Sequence, residues 1–160
     1  MANLRAVEAF WQSYLETLPK NHIHRLHPLP EADGFGDSPK MADELGKLVF
    51  NGVKTATCGR YLGENILDYS GLWIVLDSNG QPLCLSETHE ITVKRFCDVE
   101  AQFAFDEGEG DRSLDYWREA HRRFFTRQAE RDGVPFHEEM LLECERFRVL
   151  YRNLSLEPHP

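Results

Sequence analysis

Positive charge is what this chain is shortest of: its 160 residues carry 18 Lys and Arg against 27 Asp and Glu, a formal net charge of −9. A surface that coats long nucleic acid normally presents net positive charge, so extended, non-specific duplex binding is disfavoured. A local basic patch, or a small uncharged ligand, stays open. Cysteine is scarce as well. Cys58, Cys84, Cys97 and Cys144 stand far apart with no C-x-x-C pair, which argues against a zinc framework and against disulfides, and for reduced thiols. No apolar run approaches the roughly 20 residues of a membrane span. The opening "MANLRAVEAFWQSYL" keeps Glu8 inside its apolar stretch and does not read as a secretory signal. The expectation is a cytoplasmic protein with no membrane partner. Internal repeats and low-complexity linkers are lacking too. That leaves one α+β domain, large enough to bury a core without disulfides or metals.

What is present is well punctuated. Val7, Phe10, Trp11, Tyr14, Leu15 and Leu18 recur at helical spacing and predict an amphipathic helix over 4–18, ending near Pro19. Residues 19–37 read as loop. In "DSPKMADELGKLVFNG", Ser38 is placed to cap a second helix, Pro39 suits its first position, and Asn51-Gly52 can end it. A strand over 53–59 is followed by a loop. "GLWIVLD" (71–77) and "LCLSETHEITVKRF" (83–96) predict two more strands. Residues 98–105 predict a short helix and "SLDYWREAHRRFFTRQAERDG" a long one, with Leu114, Trp117, Phe124 and His121 turned inward. "MLLECERFRVLYR" predicts a closing strand, and the strands could close into a small barrel.

Three constellations carry chemistry. In "WREAHRRFFTR", Arg118, Arg122, Arg123 and Arg127 alternate with Trp117, Phe124 and Phe125, a mixture that suits phosphate and base contacts but equally suits a helix with a wet basic side. "DEGEGDR" (106–112) gathers four carboxylates around two glycines. It could admit a hard divalent cation, although its spacing is not that of a Ca²⁺ loop, or it could be a solvated helix entry. The glycines would let a carboxylate come close to a ligand. His22, His24 and His27 fall in a loop and read as solvated rather than metal-bound, and His89 and His121 as core or rim residues. Finally, the strand "NGVKTATCGR" (51–60) places a lysine and two threonines where a core strand would carry bulk. A lysine beside a hydroxyl and a carboxylate is a set that can perform hydrolysis.

Taken together, "FGDSP" before a helix, "GVKTATC", "FAFDEGEGDRSLDYWREAHRRFFTR" and "CERFRVLY" resemble the ASCH-domain family from about Phe35 to Tyr151. The resemblance implies a small PUA-like β-barrel flanked by helices, with a cleft between barrel and helices. Here that divides the chain into an extra N-terminal helix and loop (1–34), the ASCH domain (35–152) and a tail (153–160). It also implies a partner that is RNA or a modified nucleoside. Some members resemble ribonucleases. Others resemble amidohydrolases that deacetylate N4-acetylcytidine with a Lys–Thr–Glu set. The family's K-T-x-T falls on Lys54, Thr55 and Thr57, implying Lys54 as base and Thr57 as nucleophile. The acidic partner falls on Glu109, with Glu107 competing, and Phe35, Asp37, Thr55, Arg112 and Arg122 are implied as binding residues. No resident cofactor is expected, save a divalent cation that the carboxylates of the acidic loop could admit. A non-catalytic RNA-binding regulatory module is the alternative from another class. Phe10, Trp11 and Tyr14 either cover the barrel or make a homodimer contact.

Two features depart from the pattern. Many relatives place Gly-Asp where this chain has Gly71-Leu72, which removes a carboxylate. In a regular strand, moreover, Lys54 and Thr57 point to opposite faces. A Lys54–Thr57 pair therefore requires Lys54 in the preceding turn, or a bulge.

Overall fold

A computed structural model describes residues 2–63 and 71–156. The loop expected before Gly71 lies outside the described residues over 64–70, as does the end of the tail over 157–160. Four α-helices and five strands stand among the described residues, so the expected α+β class holds. The sheet order is β1 (Glu31–Asp33), β3 (Leu72–Leu76), β4 (Pro82–Arg95), β5 (Leu141–Arg152), β2 (Ala56–Arg60). The described residues fall into two compact units, one drawn from 1–52, 69–88 and 148–160, the other from 53–68 and 89–147.

The first unit holds α1 (Leu4–Glu16), β1 (Glu31–Asp33), α2 (Pro39–Phe50), β3 (Leu72–Leu76) and the opening half of β4 (Pro82–Arg95). Asn3 caps α1 by accepting the Ala6 N–H at 3.2 Å. Val7, Phe10, Trp11 and Tyr14 form one buried stripe on that helix. They pack on Leu72, Ile74, Leu76 and Leu85, so the aromatic face expected to cover a sheet or bind a second copy is a core face in this unit. Ser38 and Pro39 start α2 as expected, with Ser38 Oγ accepting the Met41 N–H. β3 pairs antiparallel with β4, with a register shift at Val75/Leu76. It also pairs in parallel with the three-residue β1, a strand inside what the sequence presents as loop. Ile23–Leu26 form a short 3-10 turn in that same stretch.

The second unit holds β2 (Ala56–Arg60), α3 (Ala101–Glu107), α4 (Leu114–Arg131), the latter part of β4 and most of β5 (Leu141–Arg152). β2 pairs antiparallel with β5, with Cys58 opposite Cys144. Its core gathers Ala56, Phe96, Val99, Phe103, Trp117, Phe125, Ala129 and Leu142. Phe125, not Phe124, is the fully buried member of the adjacent pair on α4; Phe124 is packed against the core edge. Adjacent apolar residues leave the facing ambiguous in sequence, and the Trp117–His121–Phe125 repeat of four decides it. α3 starts three residues later than expected, because residues 96–98 take a 3-10 turn first.

Candidate active site

The site is built in the second unit, where the approach to β2 meets the end of α3 and the first turns of α4. β2 starts at Ala56, so Lys54 lies in the segment that leads into the strand. That segment is stitched to α3: the Thr55 N–H and hydroxyl both donate to the Asp106 carbonyl, at 2.8 and 3.2 Å. Thr55 also accepts the Phe147 N–H through its carbonyl, so pairing with β5 runs on past the strand's formal start. α3 ends at Glu107 with Gly108 in the left-handed region at φ 72. A Cβ at Gly108 would stand 2.6 Å from the Val53 carbonyl oxygen, so only glycine lets this helix end lie against the Lys54 segment. Arg112 adopts φ 65, a left-handed conformation that a non-glycine residue takes only when neighbours hold it there. Its guanidinium does so by donating to the Phe105 carbonyl at 2.9 Å and lying 3.7 Å over the Phe105 ring.

The effect of this winding is to bring both candidate carboxylates to one ammonium. Lys54 Nζ donates to Glu109 Oε1 at 2.8 Å and stands 3.8 Å from Glu107 Oε1. The choice between Glu107 and Glu109 left by the sequence resolves into two positions rather than one. Glu107 is the buried member, 1% exposed like Lys54, and Glu109 is the member that reaches solvent. Burial alone would strip the charge from Lys54, yet the two carboxylates overcome it and hold its ammonium above the ordinary lysine range.

Glu107 is also the hub of a second pair. Its Oε2 accepts from Trp117 Nε1 at 2.5 Å and faces His121 Nε2 at 2.9 Å. His121 Nδ1 meets the Trp117 carbonyl at 2.9 Å, and its ring stacks on Trp117. With an acceptor opposite each ring nitrogen, His121 satisfies both only as the imidazolium. Burial opposes that charge, but Glu107 outweighs burial and raises the histidine above its usual range. In turn, burial would favour a neutral Glu107, whereas Lys54 and His121 pull its carboxyl down to about 2. The second oxygen is treated differently: Glu107 Oε1 is buried without a hydrogen-bond donor. Cys58 lies on the same side, its thiol pushed well up by burial and by Glu107.

The remaining expected residues fall as follows. Ala56 is fully buried and Cys58 packs on the core, so strand alternation directs Thr57, between them, to the opposite face of β2, where it pairs with Glu145. Lys54 precedes the formal start of β2 but lies outside the turn at 51–52. Thr55 ties the segment to α3. Arg122 is held by Glu138 at 2.9 Å on the exposed side of α4, and Arg123 by Glu119 at 2.8 Å. Within the acidic loop, Asp106 accepts from Arg146 and Gln102, and Asp111 accepts the Ser113 N–H. Each carboxylate there thus has a protein donor. Phe35 and Asp37 belong to the first unit, where Phe35 is buried against Trp73, ring centroids 4.7 Å apart, and Asp37 is exposed just before the α2 cap. His121 and Trp117 are the members of this cluster that sequence reasoning undervalued. Their four-residue spacing on α4 was the available signal, but it reads equally as core.

No curated protein matches this chain. Among solved structures, an ASCH domain from Lactobacillus crispatus JV V101 is 30% identical, with TM-score 0.84, over 92% of this chain and 96% of that one. EF3133 from Enterococcus faecalis V583, of family DUF984, is 34% identical, with TM-score 0.81, over 98% of this chain and 94% of that one. A hypothetical protein, PH0355, is 15% identical with TM-score 0.50 and shares the fold alone. No described helix is long and apolar enough to cross a membrane. The ASCH domain model matches residues 31–151, and with these structures it establishes that the chain belongs to the ASCH domain family, a PUA-like fold whose members generally bind RNA.

Proposed function

We propose that this protein binds a modified nucleoside, free or at an RNA end or loop, and hydrolyses an amide on its base, with N4-acylated cytidine as the substrate type. The observation that carries this is the buried Lys54 ammonium held between Glu109 and Glu107, one carboxylate reachable from solvent and one with an open lone pair. An acylated exocyclic amine offers an N–H donor and a carbonyl acceptor, and carboxylates are the side chains that accept from the cytosine N4 position. Lys54, being held protonated by its two carboxylates, suits an electrophile better than the base implied by resemblance. It would donate to the acyl oxygen as that oxygen gains charge. Glu109 would take the proton from the attacking hydroxyl; the new C–O bond forms, the C–N bond breaks, and the proton passes to the leaving nitrogen. A water supplies that hydroxyl directly, since strand alternation turns Thr57 away from the Ala56–Cys58 face. Arg112, Arg122, Arg123 and Arg146 are each engaged by protein acceptors, which leaves fewer guanidinium groups for a phosphate strand and favours the small substrate.

The test is turnover of N4-acetylcytidine, followed by chromatography, beside a labelled single-stranded RNA. Acetate release lost in Glu109→Gln and Lys54→Met, at unchanged fold, is the expected result. Thr57→Val should keep turnover, and its loss would assign the attack to the Thr57 hydroxyl instead of water. Cleavage of the RNA, or binding of it without change to either substrate, would overturn the amidohydrolase reading.

A further inference from the structure

We propose that Cys58, Glu107 and His121 form a binding site for a thiophilic divalent cation of the zinc type. The Cys58 Sγ, one Glu107 oxygen and one His121 ring nitrogen all lie within 4.8 Å of one another. The three come from β2, the end of α3 and the middle of α4, so no sequence spacing announces them. Two independent features point to a ligand. Glu107 Oε1 is buried and has no hydrogen-bond donor, since Lys54 Nζ at 3.8 Å is beyond bonding distance. The contact between His121 Nδ1 and the Trp117 carbonyl is the support that metal-ligating histidines use, directing the other nitrogen, Nε2, to the Glu107 side.

The donor set selects the ion. A thiolate, an imidazole and one carboxylate match zinc or cobalt, whereas magnesium and calcium take oxygen shells. Three protein ligands leave a fourth position open, as catalytic zinc sites do. Charge also permits it. The cation replaces the Cys58 thiol proton and the proton on His121 Nε2, so two positive charges leave as two enter. The nearby ammonium is not left to repel the ion, because Glu109 holds Lys54 at 2.8 Å. This inference shares Glu107 with the amide-hydrolysis reading, but its readout is metal uptake and needs no turnover, so either reading can fail without the other.

The test is titration of the chelator-stripped full chain with Co²⁺, followed by displacement with Zn²⁺. One equivalent of cobalt should give a thiolate charge-transfer band in the near ultraviolet and strong tetrahedral bands in the visible. Cys58→Ser should abolish the charge-transfer band, while Cys144→Ser keeps it. Loss of a supporting group alone weakens metal binding roughly 10–100-fold, so loss of this ligand should exceed that. Should Cys58→Ser misfold, zinc-edge absorption of the unmodified protein still decides, by reading one sulfur and the rest nitrogen or oxygen. No stoichiometric uptake, a spectrum lacking sulfur, or a charge-transfer band surviving in Cys58→Ser would each overturn the site.

Discussion

Replacing Lys54 by methionine removes a charge while nearly conserving volume, and so isolates the electrostatic role of this residue. Lys54 and Glu107 are both 1% exposed, so the change strands a carboxylate that has no route to water. Breaking a buried ion pair from one side costs about 3–5 kcal/mol. The lower end applies here, because Glu107 keeps Trp117 and His121 as partners and Glu109, 16% exposed, can turn to solvent. A loss of about 3 kcal/mol in a chain of this length lowers Tm by roughly 6–12 °C. The decisive measurement is a double-mutant cycle by urea denaturation. Once Glu107→Gln has removed the anion, Lys54→Met should cost less by about 1–3 kcal/mol, the coupling expected of groups sharing one network. If Lys54→Met alone costs under about 1 kcal/mol, or if the two changes simply add, the buried network is not the organising charge of this site.

The network also sets a pH window. Glu107 is lowered from 4.5 to about 2, so its contribution is complete above pH 4.5 and is lost as pH falls toward 2. His121 is raised above 6.5, so its contribution is complete below pH 6.5 and is lost as pH rises through the raised value. Urea midpoints taken below, inside and above 4.5–6.5 should therefore peak inside, and His121→Gln should flatten the alkaline limb; an unchanged alkaline limb would refute the imidazolium assignment. Gly108→Ala should cost about 1–3 kcal/mol for left-handed strain alone, and more for the clash with the Val53 carbonyl, with activity falling further than stability because the Lys54 segment is displaced. Thermal unfolding beside turnover checks this, and a fall in stability with full activity would show that the helix end does not position Lys54.

The elements that the sequence announces are those whose signals are local. Ser38-Pro39 and Ser113 cap their helices where the capping pattern puts them, and α4 runs its full expected length to Arg131. β1 was illegible because three residues, two of them exposed, carry no periodicity; what makes them a strand is the edge of β3, seen only in the fold. The site divides on the same principle. Lys54, Glu107 and Glu109 were visible as residue types in motifs, yet which carboxylate mattered turned on one left-handed glycine. With Gly108 closing the helix, Glu107 faces the core and Glu109 returns over Lys54 from the loop, so both reach the ammonium and at different depths. The charge state was not legible at all. A lysine in a dry pocket reads as a base only while its neighbours are unknown, and two carboxylates reverse the sign of the effect. His121 shows the converse. Its sequence context, an i+4 neighbour of Trp117 on an apolar stripe, is that of a core residue, and it is one. The proximity of Glu107, from a helix ending fourteen residues earlier, is what turns a packed ring into a charged one.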